Sequence, residues 1–189
     1  MPLGVLRGLF AVAASMAMLL AACGADDPSP AARADCPAEA SVTSPPAANE
    51  DPVLADRMPD EVAGRRLEIQ TVCATVAGAG GLTTAPEFLQ AVGVELRDVT
   101  IARDRGAQSG SPETYASVTA WRYGGAAEDD IRAALLDAFD RAGIPVEEDT
   151  VGGKEVHRAL LHVYYVADDT LYAVVGQDAG VEALVEALP

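Results

Sequence analysis

Beyond about residue 58 the chain alternates between two hydrophobic periods, one of two residues and one of three to four, and this predicts strands interleaved with helices. Val62, Leu67, Ile69 and Val72 predict an opening strand. Residues 77–81 form a glycine-rich turn that lacks the G-x-G-x-x-G spacing and the strand–helix context of a phosphate loop. In Thr84-Ala85-Pro86-Glu87, a threonine that can cap, a first-turn proline and a glutamate three residues on predict a helix start. Phe88, Leu89 and Val92 supply that helix's apolar face, and Gly93 ends it. Residues 99–102 and 115–123 read as strands on either side of a polar loop at 106–112. Over 126–142, Ile131, Leu135 and Phe139 recur every four residues beside Ala134, Ala138 and Ala142, predicting a long helix that Gly143 and Pro145 terminate. Glu128, Asp129 and Asp130 crowd its first turn, where the helix dipole favours negative charge; the trio needs no metal to explain it.

The remainder reads as hairpins and a last helix. Strands around 150–158 turn at Gly152-Gly153; the Gly-Gly-Lys here lacks the upstream glycine and following Ser/Thr of a P-loop. Residues 160–167 and 171–175 pair about Asp168-Asp169. Asp178 is placed to cap a helix whose Val181, Leu184, Val185 and Leu188 follow the i, i+3, i+4, i+7 pattern. Hairpin-then-helix thus occurs twice, at 97–142 and 154–188, a possible ββα duplication. Together the elements predict an α+β fold: an antiparallel sheet with helices packed on one face, a two-layer sandwich.

Strand alternation sorts side chains by face. Ala116, Val118 and Ala120 share one side of their strand, with Tyr115, Thr119, Trp121 and Tyr123 opposite. Val163 and Tyr165 oppose His162 and Tyr164; Leu171, Ala173 and Val175 oppose Tyr172 and Val174. If the small and aliphatic sides meet the helices, one open face collects Tyr115, Trp121, Tyr123, His162, Tyr164 and Tyr172. Aromatics with a polar handle are typical of recognition surfaces, so these six are the candidate binding residues. The competing reading is cross-strand pairing on a half-wet sheet, or burial.

The first residues carry a different signal. After Arg7, the only charge before Cys23, an apolar run over 9–20 falls short of the roughly 20 residues of a membrane span and fits a secretory signal. It ends in Leu20-Ala21-Ala22-Cys23, which resembles the lipobox of bacterial lipoprotein precursors. The resemblance implies removal of residues 1–22 as a signal peptide, lipidation of Cys23 with palmitate-type acyl chains, and a cell-envelope location. The protein would sit on the outer side of the cytoplasmic membrane, or on an outer membrane if one is present. Residues 24–57, rich in Ala, Pro, Asp and Ser, read as a tether, with Pro28, Pro30, Pro37, Pro45, Pro46 and Pro52 opposing regular structure. That gives a lipidated tether at 23–57 and a single extracytoplasmic domain at 58–189.

Charge and cysteines narrow the partners. The chain carries 13 basic and 29 acidic residues, a net charge of −16; without Arg7 it would be −17. Such a chain is repelled by phosphates, which excludes nucleic acid, and leaves the acyl chains of Cys23 to hold it to the lipid membrane. Cys36 and Cys73 are an even pair for an oxidising compartment and predict a disulfide. No cofactor and no metal is expected, since two His and two spare Cys show none of zinc's close ligand spacings. Catalysis has little support: Ser109, Ser111 and Ser117 lack a G-x-S-x-G context, and His157 and His162 are the only histidines. The reading is a non-enzymatic binding or interaction module with an unknown ligand or protein partner. The alternatives are a small hydrolase with an unrecognised active site, or a structural envelope component.

Overall fold

A computed structural model describes Cys36 and residues 50–77, 81–105 and 115–189. The leader, Cys23, most of the tether, part of the glycine-rich turn and the polar loop at 106–112 lie outside the described residues. In chain order the elements are α1 (Pro52–Asp56), a small hairpin of β1 (Glu61–Val62) and β2 (Arg65–Arg66), β3 (Ile69–Cys73), α2 (Ala74–Ala77), α3 (Pro86–Val92), β4 (Val99–Asp104), β5 (Ala116–Tyr123), α4 (Glu128–Arg141), β6 (Glu147–Val151), β7 (Lys154–Ala159), β8 (His162–Ala167), β9 (Thr170–Gly176) and α5 (Asp178–Ala187). The fold is α+β. A seven-stranded antiparallel sheet in the order β3-β4-β5-β9-β8-β7-β6 carries the helices.

The helices divide between both faces of this sheet, where the sequence pattern predicts one covered face. Register gives the reason. Ala120 lies opposite Ala102 and Tyr172, whereas Trp121 lies opposite Ile101 and Leu171. One face gathers Ala102, Ala116, Val118, Ala120, Tyr172 and Val174 under Val181, Leu184, Val185 and Leu188 of α5, with Leu54, Met58 and Val62 beside them. The other gathers Val99, Ile101, Tyr123, Val166 and Leu171 under Phe88 and Leu89 of α3 and Ile131, Leu135 and Phe139 of α4. Leu171, Tyr172, Ala173 and Val174 are buried without a break, so β9 is apolar on both sides. A strand of that kind needs cover on both, and each fully buried Leu or Val contributes roughly 1.5–3 kcal/mol.

The hairpin-then-helix order recurs as β4-β5-α4 and β8-β9-α5, with β5 and β9 adjacent and antiparallel. An axis exchanging two such strands stands normal to the sheet and keeps both helices on one face. Here α4 and α5 take opposite faces, so no such axis relates the two units.

Local chemistry differs from the expected at three boundaries. Thr84 ends a 3₁₀ turn (Leu82–Thr84) with its hydroxyl buried and without a hydrogen-bond partner; Ala85 stands at the N-cap of α3, and Pro86 and Gly93 (φ 78°) bound it as expected. Asp178 is the first residue of α5 rather than its cap, the N-cap position falling to Gln177. Leu160 does not begin a strand. Ala159 pairs with His162, leaving Leu160 and Leu161 as the β7–β8 turn. Leu160 takes φ 56° there, a left-handed conformation that costs an L-residue about 1–2 kcal/mol.

Candidate functional site

The six predicted aromatic and imidazole residues do not form one surface. Tyr172 is on the α5 face, fully buried and stacked on Tyr165 with ring centroids 5.9 Å apart. Its alternation partner Leu171 is the one that shares Trp121's side. The other five occupy the α3/α4 face, at very different depths. Tyr123 is fully buried, packs on Phe88 at 5.5 Å and donates its hydroxyl to the carbonyl of Thr83 at 2.9 Å. Burial drives the Tyr123 phenol pKa far upward, only partly opposed by that bond. Tyr164, half-buried, meets Phe139 of α4 edge-on at 5.1 Å and His162 at 5.7 Å. Burial raises its pKa too. Trp121 and Tyr115 are half-buried. The helices therefore cover much of what the pattern predicted as open, because α3 and α4 need an apolar seat and this face supplies it.

A cleft of about 330 Å³ opens between α4 and the β6–β7 hairpin, lined by Arg132, Glu148, Thr150, Glu155 and His157 among others. Cross-strand pairing sets Glu148 opposite His157 and Thr150 opposite Glu155, so these four project on one face. Burial lowers the pKa of His157, and Arg132 adds to that, against the opposing pull of Glu148 and Glu155. Its imidazole is thus neutral near neutral pH, with Nδ1 buried and lacking a hydrogen-bond partner. His162 Nδ1 is likewise buried and unpartnered. Ser117 shares the register row of His162, but Val175 stands between them, so two strand spacings of about 4.8 Å separate nucleophile from base. Among the described residues no group of three or more His, Cys, Asp or Glu could hold a metal ion.

The structure also assembles polar residues that the hydrophobic pattern overlooks. The folded body begins before residue 58. Asp51 caps α1, accepting from the Leu54 N–H at 3.0 Å, and Pro52 takes the first helical position, where a missing N–H costs nothing. Asp51 accepts as well from Thr100 Oγ1 at 2.5 Å and from Arg122 Nη1 at 2.9 Å, and its own N–H donates to Thr71 Oγ1. Arg122 donates from Nε to Asp169 at 3.1 Å, and Asp169 also receives Arg57. Burial raises the Asp51 pKa, but the bonds from Thr100, Leu54 and Arg122 together outweigh it, and the carboxyl lies below the usual range. Arg122 is lowered by burial and raised more strongly by Asp51 and Asp169. Glu50 completes the arrangement on the edge strand β3, its carboxylate accepting the Cys73 N–H and its N–H donating to the Thr71 carbonyl. Cys73 ends β3 and is joined by a disulfide to Cys36, as the cysteine count predicts. The signal for this clasp was present in Asp51-Pro52, an N-cap followed by an N1 proline.

No helix among the described residues is long and apolar enough to cross a membrane. No family model, no curated protein and no solved structure matches the chain.

Proposed function

We propose that the chain is a membrane-anchored bacterial lipoprotein, acylated at Cys23, whose α+β domain is a non-enzymatic binding or interaction module in the cell envelope. The observation that carries this is the Cys36–Cys73 bridge. A structural disulfide persists in oxidising compartments, which supports export. It also consumes both cysteines other than Cys23, leaving the lipobox cysteine as the one available for lipid. The module reading rests on the half-buried Trp121 and Tyr164 and on the cleft beside His157, which offer contact area and mixed charge rather than an aligned nucleophile and base.

The test is metabolic labelling with a fatty-acid analogue in a host that processes bacterial lipoproteins. The chain should take up label and fractionate with membranes, and Cys23→Ser should abolish both. Labelling of Cys23→Ser at the parental level would remove the anchor reading. Hydrolysis of generic ester, amide or glycoside substrates that is lost on His157→Gln would replace the binding module with an enzyme.

A further inference from the structure

We infer that the Leu160–Leu161 tip of the β7–β8 hairpin is a second point of contact with the lipid surface that bears the anchor, an inference that rests on the acylated Cys23 proposed above. Leu160 and Leu161 are 73% and 82% exposed, the only large hydrophobic residues standing out among the described ones. They fill a two-residue hairpin turn, where Gly, Asn and Asp are the favoured residues, and Leu160 does so with φ 56°. Exposed apolar area and a left-handed leucine are both unfavourable, and the core recovers neither. Two adjacent apolar side chains at such a position, one of them strained, point to a contact outside the fold.

The surroundings suit shallow insertion. Half-buried Ile144 and Val146 precede Glu147, whose cross-strand partner is Arg158, so they lie beside the tip. The Arg158 charge is satisfied by Asp149 at 2.6 Å. Tyr115, half-buried, stands at the same end of the sheet, next to Gly176 and Gln177. A second copy of the chain is the poorer occupant, because exposed Glu147, Glu148 and Asp178 near the tip would face their own kind, whereas the headgroups of a zwitterionic lipid carry no net charge to repel them.

Reach decides the rest. Cys73, Thr100, Arg122, Thr170 and Ala167 share one register row, and His162 pairs with Val175 near the other end of the sheet. The tip is therefore diagonal to the disulfide. Four strand spacings and the length of β9 put it roughly 25–30 Å from Cys73. Residues 24–35 reach about 40 Å when extended, enough for the tip to touch the bilayer while Cys23 stays in it. Tethering raises the effective concentration of the surface, so a weak contact suffices.

The experiment uses the mature chain acylated at Cys23 and reconstituted in phosphatidylcholine vesicles, with a nitrobenzoxadiazole label on Leu161→Cys or, as control, on Glu182→Cys of α5. The tip label should be blue-shifted and lose iodide quenching, while the α5 label stays water-like. A water-like tip label on chains that float with the vesicles overturns the inference and leaves the anchor standing. Chains that do not float overturn the anchor reading and this inference with it. On the same acylated chain and vesicles, Leu160→Asn beside the Leu161→Cys label should return that label to water-like emission and full iodide quenching without lowering the melting temperature. A label that stays blue-shifted and unquenched in that variant would also overturn the proposal.

Discussion

Asp51 and Arg122, 71 residues apart in the chain, meet at 2.9 Å with side chains only 1% and 3% exposed. The pair joins the segment before α1 to a central strand, and Asp169 and Thr100 complete its coordination. Removing one member of a buried ion pair typically costs 3–5 kcal/mol, because the other charge is stranded. Asp51→Ala should fall at the low end, about 3 kcal/mol, since Asp169 still faces Arg122. Urea melts at neutral pH measure it.

The same carboxyl predicts a pH dependence. Its folded pKa lies below the ordinary value, so the stability it adds is present above the unfolded pKa, about 3.9. That contribution disappears as pH falls through the folded value. Asp51→Asn lacks it. The stability gap between parent and Asp51→Asn should therefore be full near neutrality and shrink steadily below about pH 4. A gap that is constant with pH would show that the interaction does not depend on ionisation.

The Cys36–Cys73 bridge closes a loop with a sequence separation of 37, which the chain-entropy relation values at roughly 4 kcal/mol. Nonreducing peptide mapping should recover the two cysteines in one linked pair. Reduction, or Cys36→Ser, should lower the melting temperature by about 10–20 °C.

Trp121 is half-buried between Ile101 and Leu171 on the α3/α4 face. Its fluorescence, the sole indole signal of the chain, should lie between the exposed and buried extremes and be quenched by acrylamide more than by iodide. Trp121→Ala should cost about 2 kcal/mol, below the 3–5 typical of a fully buried aromatic. If Trp121 also anchors a ligand, the same change weakens binding of any compound found by screening.

Leu160→Asn should be neutral or stabilising, by up to about 1 kcal/mol, because Asn tolerates the left-handed region better than Leu. The lost side chain makes little contact within the fold. A thermal melt of that variant reports the strain directly.

Much of this architecture is legible in the sequence because it depends on local period. The helix expected over 126–142 is α4, Glu128–Arg141, with its acidic first turn in place, and the strands around Gly152-Gly153 and Asp168-Asp169 pair as hairpins. Period does not say how many faces a sheet covers. Tyr172 and Leu171 alternate correctly, yet both are buried, so their difference in polarity did not mark the wet side. Arg122 was illegible for another reason. A buried arginine in a strand is explained only by its partners, and Asp51 lies in a segment whose prolines read as linker. The turn leucines were hidden by their own hydrophobicity, which reads as strand.

The disulfide also fixes a mechanical route. A pull applied anywhere N-terminal to Cys36 passes through the bridge into Cys73 at the end of an edge strand. Residues 37–72, with α1, the β1–β2 hairpin and most of β3, lie in parallel with that route and add no slack to it. While β3 keeps its pairing with β4, loss of order in residues 37–68 would leave the distance between Cys36 and the sheet unchanged. The reach of any tether drawn from the residues before Cys36 would then be set by those residues alone, as long as β3 stays paired.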